Sequence, residues 1–200
     1  MIGNVRCATW TLGILAITAG LAACRPGDTP ARREAVVDSA LSIDTLLARF
    51  REGLDRPAGL ADGAASMDGL IEGFVSAVEH GDSAVFRGMA LTRAEFAWLY
   101  YPHLPEAAPP YELEPGLMWF MIETNSGRGL RTLLAERGGR PLSVVGYSCE
   151  GERHHGPVTL WAPCVLRRLQ SEADTVSEIL FGPIVWRDGQ FKFVSFANKL

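Results

Sequence analysis

Glu123 is the side chain whose setting most suggests chemistry. It follows the uncharged run Leu117-Met118-Trp119-Phe120-Met121-Ile122. A helix buried there sets a carboxylate against an apolar wall, where desolvation raises its pKa towards the range useful for proton transfer. The alternative is that Glu123 begins the wet face of an amphipathic helix. His103, between Pro102 and Leu104, is a second acid–base candidate or a surface residue, and Tyr100 and Tyr147 are the available phenol donors. His154 and His155, with Glu150 and Glu152 nearby, have the right ligand types for a metal, but adjacent histidines in a loop rarely converge on one ion and no third ligand has a recognisable spacing. They read as a solvated hairpin tip, and neither a metal nor a cofactor is expected. Ser126 lies in no Gly-x-Ser-x-Gly context and has no His–Asp pair to activate it. Gly127-Arg128-Gly129 lies in a helical pattern and not after a strand, which argues against a phosphate loop. The aromatic residues Trp98, Tyr100, Tyr101, Trp119, Trp161 and Trp186 read first as core. Trp98, Tyr101, Trp119 and Trp161 are the candidates for a ligand wall.

The elements that must position these residues change character along the chain. From Glu34, Val36, Val37, Leu41, Ile43, Leu46, Leu47 and Phe50 recur at helical spacing. After the break "DRPAGLADGA", Ser66 is placed to cap a second helix carrying Leu70, Ile71, Phe74, Val75 and Val78, and Asp82 a short third one through Met89. Thr92 and Glu95 form a Thr-x-x-Glu capping box, and Pro102 ends that helix near Tyr101. An extended proline-rich crossing follows. Pro115 suits the first turn of a helix that runs to Gly138-Gly139, weakened at Asn125-Ser126-Gly127. Beyond Pro141 the segments "LSVVGYSCE", "VTLWAPCVLRRLQ", "VSEILFGPIVW" and "QFKFVSFAN" read as four strands. Asp188-Gly189 is a hairpin signal, and Gly182-Pro183 marks a bulge or bend. The fold class is α+β: N-terminal helices packed on a curved, mainly antiparallel four-stranded C-terminal sheet, a cone-like roll.

The N-terminus carries one charge, Arg6, then an uncharged run from Cys7 to Cys24 that ends in small residues. The run is short for a bilayer span, which needs roughly 20 apolar residues, but fits a secretory leader. Leu21-Ala22-Ala23-Cys24 resembles the bacterial lipobox. That resemblance implies cleavage before Cys24 and diacylglycerol on its sulfur, with multiple acyl chains giving stable anchoring; an ordinary signal peptide or an uncleaved anchor is the alternative. Residues 1–23 are then a leader, 24–33 a flexible tether rich in Pro and Gly, and 34–200 one α+β domain. Arg25, where an Asp resembles an inner-membrane retention signal, implies the outer membrane, facing the periplasm.

Without the leader the chain has 18 basic and 23 acidic side chains. No basic excess suggests nucleic acid. Seventeen of the nineteen basic residues are arginine, Lys192 and Lys199 being the lysines. Cys149 and Cys164 remain in a compartment that permits disulfides and flank a turn-rich centre, so facing positions on two hairpin arms are within bonding reach. Two unpaired buried thiols are the alternative.

The helix "GLIEGFVSAVEHGD", a short helix after it and a run of bent strands to the end resemble nuclear transport factor two-like folds over residues 66–200. That resemblance implies a curved sheet wrapped over helices, often around an apolar pocket. "TRAEFAWLYYP" and "DGQFKFVSFAN" are similar to uncharacterised bacterial lipoproteins. Two functions follow. The first is a non-catalytic, membrane-tethered domain that binds a small apolar ligand or an envelope protein. The second is an isomerase, dehydratase or cyclase built on Glu123, His103, Tyr100 and Tyr147.

Overall fold

The computed structural model describes residues 41–171 and 174–200; Cys24, the leader, the tether and the start of the helical pattern at Glu34 lie outside them. Helix α1 (Ile43–Arg51) begins later than its periodicity predicts. Ser42 sits in extended backbone and its side chain accepts from Thr45 N, which fixes the start there and leaves Leu41 outside the helix. Helix α2 (Met67–His80) is capped by Ser66 and closed by Gly81 in the left-handed conformation. Asp82 accepts from Ala84 N and so closes a turn; helix α3 (Phe86–Met89) follows it with no side-chain cap. Helix α4 (Arg93–Glu95) opens with the complete Thr92–Glu95 capping box and passes into a π-helical turn, Phe96–Tyr100. The crossing expected to be extended is instead a chain of tight turns. Prolines initiate two 3₁₀ turns, Tyr101–His103 and Pro105–Ala107, because their fixed φ suits the first turn of a helix. Helix α5 (Pro115–Arg137) then runs unbroken through Asn125-Ser126-Gly127.

The four expected strands become seven in two antiparallel sheets: two of the four are broken where they bend, and residues 153–155, expected in a hairpin tip, form a further strand. Strands β1 (Val144–Cys149) and β2 (Arg153–His155) are one hairpin arm, and β3 (Val158–Trp161) and β4 (Cys164–Ser171) the other. Glu150 N donates to Pro163 O and Ala162 N donates to Glu150 O, so the arms stay paired across the bend. Gly151 has φ +60°, and a Cβ there would meet Ala162 O at 2.5 Å, so only glycine fits the corner. Strands β5 (Asp174–Glu178) and β6 (Ile184–Arg187) are likewise divided at Gly182-Pro183, and β7 (Gln190–Phe193) returns through Asp188-Gly189, both at positive φ. The sheets are β1-β4-β5 and β2-β3-β6-β7. Cys149 and Cys164 are direct register partners beside the bend and are joined as a disulfide.

The four-stranded sheet is covered on both faces. Ile184 and Phe193, register partners, belong to a core built with Leu70, Phe74 and Val78 of α2. The adjacent pair on β6 and β7, Val185 and Lys192, points the opposite way; Val185 packs with Leu47 and Phe50 of α1 and with Phe96. Helix α5 serves both cores, Leu133 in the first and Met118 and Ile122 against the second. At a usual 25 cal/mol per Å² of apolar surface removed from water, such two-sided burial is the main favourable term in the fold. The outer edge of β7 is closed by loops: Ala64 exchanges two backbone hydrogen bonds with Phe191, and Leu91 N donates to Phe193 O. Among the described residues, no helix is long and apolar enough to cross a membrane.

Lys192, on β7, is the buried cation of this sheet. Its Nζ lies 3.0 Å from both carboxylate oxygens of Glu95, and each side chain is 1 % exposed. Glu95 also accepts from Ala61 N at 2.6 Å and Thr92 N at 2.7 Å.

Helix α5 is held to the C-terminal segment by backbone contact. Ser126 Oγ accepts from Phe196 N at 2.9 Å, and Asn198 donates to Gly129 O at 2.7 Å. A Cβ on Gly129 would sit 2.0 Å from Phe196 O, whereas one on Gly127 meets only the end of the Arg131 side chain at 3.5 Å. Helix propensity alone makes both Gly→Ala changes favourable by up to about 1 kcal/mol. The expected result in urea unfolding is that Gly127→Ala follows propensity, while Gly129→Ala is destabilised by about 2 kcal/mol through the clash. Equal behaviour of the two variants would contradict the close approach.

Candidate functional site

A cleft of about 410 Å³ opens between α3, α5 and the C-terminal segment. Each wall has a local reason. The turn closed by Asp82 presents Phe86 and Arg87, and the chain then bonds to β7 through Leu91. Helix α5 contributes Trp119, Ile122, Glu123, Ser126 and Leu130, which recur every three or four residues and so share one helix face. Val194 and Phe196 form the third wall, their backbone held by Ser126 and the Gly129 contact. The lining is mostly carbon, with Arg87, Glu123, Ser83, Thr92 and Ser126 as its polar members.

Glu123 therefore lines a cavity, but not as a buried acid. It is exposed and has no hydrogen-bond or ion-pair partner among the described residues. The desolvation needed to poise a carboxylate for proton transfer is missing. The other acid–base candidates lie elsewhere. Tyr100 is buried, lines a different pocket with Glu106 and Arg153, and has its pKa raised above the ordinary phenol value by burial, with Glu106 adding to the effect. His103 is half-buried, 3.4 Å from an Arg187 nitrogen; burial and then that guanidinium hold its pKa below the usual value. Tyr147 lines a groove with Asp68, Glu72 and Glu79, on the α2 side of the β1 strand. The four residues do not assemble into one site.

Of the four aromatic ligand candidates, Trp119 alone lines the cleft, its ring 5.2 Å from that of Phe96. Tyr101 is fully buried and donates its hydroxyl to Leu113 O at 2.6 Å, which makes it a core residue; its pKa is raised by burial and then by Glu114. Trp161 packs on Phe191 at the edge of the α2 core. Trp186 is half-buried on β6 opposite Thr159 and Phe191. Trp98 lies beneath the guanidinium groups of Arg51 and Arg56, and its Nε1–H is buried without an acceptor among the described residues. His154 bonds Thr159 Oγ1 and lies 3.3 Å from Glu152 at an exposed strand; no group of three potential metal ligands occurs among the described residues. Arg87 was not legible as a cleft residue, since it comes from a four-residue helix with no pattern of its own.

Compared with protein-family models, with curated proteins and with solved structures, the chain matches none.

Tyr147 gives the clearest titration. Burial first, then the 2.5 Å hydrogen bond to Asp68 Oδ1, then the charges of Asp68 and Glu72, push its pKa up from 10.0 to about 12. The phenol is neutral in the fold over a wider range than in the unfolded chain. Its contribution to stability is therefore complete below pH 10 and lost as pH rises from there through about 12. Ultraviolet titration of phenolate is expected to lose a component near pH 12 in Tyr147→Phe, and to show that component shifted down, without reaching 10, in Asp68→Asn. An unchanged component in Asp68→Asn would show that the carboxylate plays no part.

Proposed function

We propose that this protein is a non-catalytic binding domain, tethered by lipid on Cys24 to the outer membrane of a bacterial envelope and facing the periplasm, that takes a small apolar ligand in the α3–α5 cleft. The observation that carries the binding half is the cleft itself: carbon-lined walls from three segments, with Arg87 and Glu123 as polar members not paired by an ion bridge among the described residues. Its volume of about 410 Å³ is within the usual range for small-molecule sites. An amphipathic molecule suits it, its apolar body against Trp119, Ile122 and Phe196 and its polar end at the mouth. The anchor half rests on Leu21-Ala22-Ala23-Cys24 and on the disulfide between Cys149 and Cys164, since such bonds persist in oxidising compartments. The isomerase, dehydratase or cyclase alternative loses its support because Glu123 is exposed and Tyr100, His103 and Tyr147 line other surfaces.

The test of the cleft is titration with the fluorescent apolar probe N-phenyl-1-naphthylamine. Saturable binding is expected, weakened about tenfold or more by Gly127→Leu, which fills the cavity from an open helix position. Binding unaffected by that substitution would place the probe elsewhere. The anchor is checked on the native product by mass spectrometry, which is expected to find Cys24 as the first residue carrying diacylglycerol; an intact leader would remove the membrane half and leave the cleft untouched.

A further inference from the structure

Two arginines share one indole. The Arg51 guanidinium carbon lies 4.0 Å from the centre of the Trp98 ring and that of Arg56 lies 5.4 Å from it. The two cations can be no further apart than those distances laid end to end. Neither forms an ion pair with a carboxylate among the described residues. Arg51 is fixed: its Nε and Nη2 both donate to Ala97 O, at 3.1 and 2.9 Å. Its Nη1 has no hydrogen-bond partner among the described residues. Arg56 is exposed, on the loop after α1, and makes no hydrogen bond there. Burial of Arg51 first, and then the charge of Arg56, holds the Arg51 pKa below the usual arginine value, so the pair repels and no carboxylate neutralises it among the described residues.

Cation–π attraction to an indole is ordinary for one arginine. Two unpaired ones on the same ring leave a set of N–H donors, one rigid and one adjustable, without an acceptor among the described residues. Planar guanidinium forks match the oxygens of a phosphate, and charge-assisted hydrogen bonds to it are the strong kind. We infer that Arg51 and Arg56, gathered on the Trp98 ring, form a phosphate oxyanion site, with Arg51 as the preset half and Arg56 closing on the ligand. This surface is lined by residues other than those of the cleft, and the inference does not depend on the apolar-ligand reading. The phosphate is either free or the headgroup of an anionic phospholipid; both offer the same oxygens.

The buried Trp98 Nε1–H supplies a specific reporter, its proton–nitrogen resonance being assigned with Trp98→Phe. The protein is titrated with inorganic phosphate, and separately with vesicles of phosphatidylcholine alone or with phosphatidylglycerol added. The expected result is a saturable shift of that resonance with phosphate, with phosphatidylglycerol vesicles, or with both, the responding arm naming the source. Arg56→Gln is expected to weaken binding about tenfold. Arg93→Gln is the control, because Arg93 stacks on Phe50 at 4.5 Å and adds nearby positive charge outside the pair. Failure of every titrant to move the resonance overturns the site, and so does equal weakening by Arg56→Gln and Arg93→Gln, which would show diffuse charge attraction. Arg56 is exposed and holds no hydrogen bond among the described residues, so its replacement leaves the fold intact for the comparison.

Discussion

The buried pair of Glu95 and Lys192 sets a condition that the surrounding structure has to meet. Burying an unpaired charge costs far more than a domain's net stability allows, so neither residue can occupy its place unless the other does. Glu95 is the third residue of α4 and Lys192 is the third residue of β7, separated by 97 positions. Their contact fixes the height of α4 along the sheet. The same carboxylate takes the Ala61 and Thr92 amides, so the loop after α1, the start of α4 and the strand are joined at one point. Replacing such a pair with apolar residues of similar volume is often neutral, whereas removing one partner is costly. Its contribution is therefore best understood as fixing which arrangement forms, with apolar packing on either side of the sheet supplying most of the favourable energy.

From that point the geometry of the cleft follows. With α4 pinned to β7, Leu91 bonds Phe193 O and the preceding α3 is brought alongside the C-terminal segment. Helix α5 approaches the same segment from the other side, close enough that Gly129 admits no Cβ. The cavity is the space left between two elements held to one strand extension, which is why its walls come from parts of the chain more than one hundred residues apart. The Arg51–Trp98–Arg56 cluster lies where α1 meets the π-helical turn after α4, and Arg51 is held by the carbonyl next to Trp98.

Much of the local structure was legible because its causes are local. The Thr92–Glu95 box, the Ser66 cap, the Asp188-Gly189 turn and the bend at Gly182-Pro183 each depend on a few adjacent residues and occur where the pattern placed them. The Cys149–Cys164 pairing was readable because both cysteines sit on arms of one hairpin. Glu95 was recognised only as a cap. Its second role was hidden, since nothing in a pattern of neighbours announces a lysine 97 residues away. The facing of Glu123 was left open between a buried acid and the start of a wet face for a different reason: residues 117–122 are apolar on every side of α5, and periodicity then gives no facing. Leu117, Phe120 and Met121 are in fact exposed, with Phe120 at 63 %. The extra strands reflect tight corners such as Gly151, which leads the chain into the unexpected β2 and whose need for glycine arises from a carbonyl on the opposite arm.

The direct test of the constraint is a double-mutant cycle on Lys192→Met and Glu95→Gln, read by chemical unfolding. If the two side chains form one buried unit, the singles are expected to destabilise by about 3 kcal/mol or more and the double mutant by clearly less than their sum, with a coupling of about 2 kcal/mol. Effects that add to within about 0.5 kcal/mol would mean that the two groups act independently, and that the position of α4 on the sheet is set by something else.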